Sequence, residues 1–241
     1  MSSSESEGDE ADPHLPLATK SLKLIQKAFE DDFSRCWNML VEKNRLMLLE
    51  VCCAADSVLT ATCQQKFGEE SARRVSFWNG GNVETPEGVK LVKDMITEQQ
   101  PRLVWLSPEC GPYSPLQHLN QKTPEQRQSL DSKRKQARKQ YEGVSEIAQH
   151  AHSLGLTFVI ELSERCEGWG LPWFHSMSDQ VPVYTGVCKG CQVGLRGTDG
   201  KLLGKGWRVA SNSEHLAEHM NLKCPTNGWG HPRVGLMSVG G

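Results

Sequence analysis

Four short strand-like runs, spaced by stretches of helical period, set the limits on what this chain can fold into. They fall at residues 45–53 (RLMLLEVCC), 73–78 (RRVSFW), 103–106 (LVWL) and 157–162 (TFVIEL). The first and third are continuous apolar runs, as strands covered on both faces require. Between the runs, residues 58–67 read as a helix, residues 86–98 as a helix with Pro86 in its first turn, and residues 124–154 as a long helix broken at Gly143. Strand and helix in alternation predict a parallel sheet with crossover helices. The third run leads into Ser107-Pro108-Glu109-Cys110-Gly111-Pro112-Tyr113-Ser114, where two prolines and a glycine stop regular structure. Cys110 is thereby held just past a strand's carboxyl end, where ligands gather in open α/β sheets.

The flanks differ in character. Residues 1–18 are polar and acidic, too poor in large apolar groups to order themselves, and residues 19–43 place Leu22, Ile25, Phe29, Phe33, Trp37 and Leu40 at amphipathic-helix spacing. After Trp173 the chain turns rich in glycine, cysteine and histidine; residues 192–210 alternate about a turn at Thr198-Asp199-Gly200, and residues 211–220 read as a short helix capped by Ser211 or Ser213. The division is an acidic tail at 1–18, an α/β domain at 19–180 and a small Cys/His/Gly-rich appendage at 181–241. A length of 241 residues suits one such domain. A net charge of -2 gives no overall basicity, so contact with nucleic acid has to come from a local patch. Nine cysteines without an apolar leader or membrane-length run point to reduced thiols, metal ligands or a nucleophile rather than a disulfide frame, and to a cytoplasmic or nuclear location.

Three predicted strand ends carry chemistry-bearing groups: Glu50, Cys110 and Glu161. A thiol and a carboxylic acid delivered from two strand ends suit covalent catalysis, in which a thiolate adds to a carbon and an acid protonates the acceptor. An inert cysteine packed beside a proline-rich turn fits the same run.

These residues resemble the S-adenosylmethionine-dependent DNA (cytosine-5) methyltransferases. Cys110 to Ser114 after Pro108 is similar to that family's proline–cysteine loop, Glu161 to its glutamate–asparagine–valine motif, Glu50 to Ala55 to its first motif, and Gly81-Asn82-Val83 to its glycine–aspartate–isoleucine motif. The order of the motifs agrees over residues 46–162. The resemblance implies a Rossmann-like class I methyltransferase sheet, with Glu50, Cys52, Ala54, Asn82 and Ser107 meeting S-adenosylmethionine. It implies Cys110 as the nucleophile at carbon 6 of a flipped cytosine, and Glu161 as the group at nitrogen 3, both facing one pocket. This chain has Ala54, Ala55 and Asp56 where the family has glycines in the first turn, which predicts a narrowed cofactor site and a negative charge near the cofactor's carboxylate. Leu162-Ser163 stand in place of asparagine–valine.

Two further features stand apart from the resemblance. Cys188-x2-Cys191 is the first half of a zinc site, completed by Cys224 with His231 or by His215 with His219. Residues 122–139 carry Lys122, Arg127, Lys133, Arg134, Lys135, Arg138 and Lys139 against Glu125 and Asp131, a surface suited to the phosphates of DNA or RNA. Together they define the alternative reading, a non-catalytic nucleic-acid-binding module with a zinc-stabilised tail.

Overall fold

The computed structural model describes residues 46–197 and 199–224. The tail at 1–18, the helix expected at 19–43 and His231 lie outside the described residues. Among the described residues six strands form one mixed sheet in the order β2-β1-β3-β4-β6-β5. Strands β1 (Leu48–Val51), β2 (Ala72–Val75), β3 (Leu103–Leu106) and β4 (Thr157–Ser163) run parallel. All four residues of β1 and of β3 are buried, as interior strands covered on both faces should be. On the edge strand β2, Arg73 is exposed and Arg74 half-buried, and charge on an edge opposes pairing with another chain.

The helices lie on both faces. One face carries Leu49, Val51, Val104, Leu106, Phe158, Ile160 and Leu162 under α2 (Pro86–Gln99), α3 (Pro124–Ser153) and α4 (Pro172–Ser178). The other carries Leu48, Leu103, Trp105, Val159 and Val209, with Cys63 from α1 (Val58–Phe67), Leu216 from α5 (Glu214–His219) and Met220. The two sets alternate along each strand because successive side chains point to opposite faces.

Four elements differ from the sequence reading. The first run is strand only to Val51, because Cys52 takes a left-handed backbone conformation with φ 62°. The second stops at Val75, where Ser76 and Asn79 form a reciprocal cap on a 3-10 turn at Phe77–Asn79. Helix α3 runs unbroken through Gly143. That glycine instead admits a close neighbour: a Cβ there would stand 2.1 Å from the carbonyl oxygen of Val83. Finally, the segment set apart by composition from residue 181 onward supplies β5 (Tyr184–Lys189) and β6 (Gly206–Ser211) to the same sheet. Strand β6 is antiparallel to both neighbours and lies between β4 and β5. Of the turn expected at Thr198-Asp199-Gly200, Thr198 lies outside the described residues; Arg196 and Leu202 form an isolated antiparallel bridge. Ser213 caps α5, its hydroxyl accepting from the Leu216 N–H. Among the described residues no helix is long and apolar enough to cross a membrane.

Candidate functional site

In the sheet order, β2 lies to one side of β1 and β3 to the other. Chain direction away from the sheet therefore reverses between β1 and β3, and such a switch point is where open α/β sheets bind ligands at their carboxyl ends. A cavity of about 470 Å³ lies there, within the usual range for small-molecule sites. Cys52, Ala54, Asn82 and Ser107, four of the residues assigned to the cofactor, line it. They arrive from the turn after β1, the loop before α2 and the loop after β3.

Cys52 is the conformational key to the cavity wall. Its N–H donates to the Val75 carbonyl at 3.1 Å while φ is 62°, so the residue that takes a glycine's backbone angle is Cys52. Ala54, Ala55 and Asp56, the positions where glycines were missed, are exposed and have no positive φ. Asp56 is not part of the cavity lining. Burial first, then neighbouring Cys53 and Glu84, push the Cys52 thiol far up, and burial with nearby Glu50 pushes Cys53 up to about 12. Both therefore stay protonated at neutral pH and are poor nucleophiles.

Glu50, expected to meet the cofactor, does not line the cavity. Its side chain lies in the face with Trp105, and the residue is 4% exposed. The carboxylate accepts from Ser57 Oγ at 2.6 and 2.7 Å, from Thr60 Oγ1 at 2.6 Å and from the Thr60 N–H at 3.2 Å. It thus holds the first turn of α1, a place that favours negative charge, and Ser57 spends its hydroxyl on Glu50 rather than on the helix. Asn82 is used in part: its Oδ1 accepts from the Glu84 N–H at 3.1 Å, which leaves one lone pair for a ligand.

The sequence reading missed half of the wall. Phe77 and Trp78, 68% and 48% exposed, border the cavity with rings 4.6 Å apart in an edge-on pair. Large exposed aromatics beside a cavity are the usual apolar surface for a flat ligand. The opposite wall is polar, with Glu84, Glu109, Gln136 and Gln140. The signal was present, since Phe77-Trp78 follow β2 after Ser76, in the 3-10 turn, but a strand reading of that run hid it.

Cys110 is half-buried at the edge of the face under α3, packed on the core beside Tyr141 and Cys166. Its loop is held from α3: Gln140 Oε1 accepts from the Glu109 N–H at 2.7 Å, and Tyr141 OH donates to the Glu109 carbonyl at 2.8 Å. Glu161 lies on the other face, where Trp105 Nε1 donates to its Oε2 at 3.1 Å and to Ser107 Oγ at 2.8 Å. Burial holds its carboxyl above the ordinary range, opposed by the Trp105 hydrogen bond and by Lys205. The expectation that Cys110 and Glu161 face one pocket is not met. They stand at the same carboxyl edge on opposite faces, because Glu161 shares its face with Val159 through strand alternation while the Cys110 loop folds toward α3. Ser107 joins the two halves: it lines the cavity and shares the Trp105 donor with Glu161.

Among the possible metal ligands, Cys188 and Cys191 are buried and Cys224 is half-buried. Burial, with Glu161 and Cys191 nearby, lifts the Cys188 thiol to about 11; burial and a hydrogen bond with Cys224 lift that of Cys191. Among the described residues no group of three or more such side chains is placed to hold a metal ion, and His231 lies outside them. The rings of His215 and His219 on α5 lie tilted against each other, with centroids 4.1 Å apart. In the basic segment, Lys122, Arg127, Lys133, Lys135, Arg138 and Lys139 are exposed, whereas Arg134 turns onto the Cys110 loop. Compared with protein-family models, with curated proteins and with solved structures, the chain matches none.

Proposed function

We propose that this chain is a DNA (cytosine-5) methyltransferase-like protein that takes S-adenosylmethionine at the switch-point cavity and a flipped cytosine at the adjoining strand edge. The observation that carries the reading is the convergence of Cys52, Ala54, Asn82 and Ser107 on one cavity with the Cys110 loop at its rim. The residues present fit an adenosyl group. Phe77 and Trp78 offer apolar rings to a base, Asn82 keeps an acceptor lone pair for an exocyclic amine, and Glu84 and Glu109 offer carboxylates to hydroxyls or a cation. When bound, the cofactor supplies an electrophilic methyl group on a sulfonium.

The chain's own groups would do the rest. The Cys110 thiolate adds to carbon 6 of the cytosine, which turns carbon 5 into a nucleophile; after methylation, loss of the carbon 5 proton expels the thiolate. Glu161, whose carboxyl burial holds above the ordinary range, would donate to nitrogen 3 as negative charge builds on the ring. Cys110 follows β3 and Glu161 lies on the neighbouring strand β4, so the proposal requires one base to reach both from beyond the carboxyl edge of the sheet. The base reaches that edge by leaving the stack, and Lys133, Lys135, Arg138 and Lys139 on the exposed side of α3 would meet backbone phosphates.

Calorimetric titration of the full chain with S-adenosylmethionine tests the first half, with a dissociation constant in the micromolar range expected, about -8 kcal/mol. No heat at saturating cofactor would overturn the reading. DNA containing 5-fluorocytosine tests the second: a denaturation-resistant adduct should form and be lost in Cys110→Ser. Cofactor binding without any adduct would leave a binding module in place of an enzyme.

A further inference from the structure

The Cys110 loop has no regular structure beyond a single 3-10 turn at Gly111–Tyr113, so side chains set its shape. From Glu109 to Pro112 each backbone carbonyl accepts from a side chain. Tyr141 OH donates to Glu109 at 2.8 Å, Cys166 Sγ to Cys110 at 3.9 Å, Gln117 Nε2 to Gly111 at 2.8 Å and Arg134 Nε to Pro112 at 3.1 Å. Arg134 is the charged donor of this set, and charge-assisted hydrogen bonds are about twice as strong as neutral ones. Its guanidinium carbon also lies 5.4 Å from the centre of the Tyr113 ring, and Nη2 stands 3.6 Å from Glu167 Oε2 in the loop after β4. Tyr113 answers by donating its hydroxyl to the Arg134 carbonyl at 3.3 Å. One planar fork thus ties α3, the Cys110 loop and the β4–α4 connection together, which a lysine's point charge cannot reproduce.

We infer that Arg134, oriented by Glu167, is the positioning residue of the Cys110 loop: it fixes the loop where its neighbour Glu109 borders the cavity, and with it the backbone that carries the Cys110 thiol. The inference rests on the reading of Cys110 as the reacting thiol. Its position in the basic half of α3 makes Arg134 look like another phosphate-binding cation, but only 25% of its side chain is exposed, its Nε already donates to Pro112 and its charge is paired with Glu167.

The test measures iodoacetamide alkylation of individual thiols in the full chain by peptide mass mapping, with buried Cys63 as the internal control. Arg134→Ala should speed Cys110 alkylation about tenfold, equivalent to about 1.4 kcal/mol of lost restraint, and leave Cys63 unmoved. Arg134→Lys should give most of that increase and Glu167→Gln a smaller one. In the same variants the fluorocytosine adduct should form at least tenfold more slowly while S-adenosylmethionine affinity stays unchanged; a general loss of fold would lower both. Unchanged Cys110 reactivity in Arg134→Ala, or Cys63 opening in parallel, overturns the inference. Where Arg134→Ala fails to fold, Arg134→Lys and Glu167→Gln decide by the same criterion. A wild type that forms no adduct defeats the methyltransferase reading alone, and the alkylation comparison still decides the role of Arg134.

Discussion

Replacing Cys52 by glycine and, separately, by alanine isolates the one backbone angle on which the cavity wall turns. A left-handed conformation costs an L-residue about 1–2 kcal/mol, and Cys52 sits there with φ 62°. Glycine removes that cost but loosens the unfolded chain by roughly 0.5–1 kcal/mol relative to alanine. Both variants lose the same Sγ contact with the core, so that loss cancels between them. Cys52→Gly should therefore be more stable than Cys52→Ala by about 0.5–1 kcal/mol, a rise in urea midpoint of about 0.3–0.5 M at a slope near 2 kcal/mol/M. Glycine also removes the thiol from the wall, so the same variant should bind S-adenosylmethionine at least as well as the wild type. Ala54→Gly should bring neither change, since Ala54 has no positive φ. Equal stability of the two Cys52 variants, or an advantage for alanine, would refute the left-handed turn and the account of the wall built on it.

Three more outcomes follow from the geometry. Gly143→Ala would drive a methyl group against the Val83 carbonyl, 2.1 Å from the new Cβ, and should destabilise the fold by about 1–3 kcal/mol, as overpacking does, read by urea denaturation. Glu161 has a folded-state pKa raised by burial. Its contribution to stability is therefore fully present below the ordinary value of 4.5 and is lost as pH rises through the raised one. Glu161→Gln should be more stable than wild type at neutral pH, with the gap closing as pH falls toward 4.5, and a gap that widens on acidification would contradict this. DNA binding should lose salt sensitivity when Lys133, Arg138 and Lys139 are replaced together, by about 0.9 of log–log slope per phosphate contact removed; an unchanged slope would move the phosphate surface off α3.

Much of the sheet could be read directly because its interior strands are apolar without interruption. Leu103-Val104-Trp105-Leu106 marks β3 to the residue, and Val58 to Phe67 marks α1 in the same way. What escaped depends on partners far along the chain. A glycine inside a helical pattern signals either a break or a close approach, and only the Val83 carbonyl against Gly143 decides between them. Alternation near residues 192–210 shows that a strand exists but not which strand it joins, so β6 was assigned to an appendage although it pairs with β4. Glu50 lies at a strand end as a cofactor ligand would, yet Ser57 and Thr60, seven and ten residues on, capture it first. The placement of Cys110 and Glu161 on opposite faces turned on the loop's fold toward α3, which no local pattern records.

The insertion of β6 between β4 and β5 bears on how the chain is made. Strand β5 is synthesised before β6, and among the described residues it pairs only with β6, which alone covers one long side of β4. While a ribosome is still translating residues 206–211, the nascent sheet presents β4 as a bare, largely apolar edge with β5 adrift beside it. Such an edge is a template for pairing with other chains, so each molecule passes through a window, of about a second or more at ordinary translation speeds, in which it is open to aggregation. Strand β6 closes that window like a keystone, and a chain that stops short of Gly206 would be left in it.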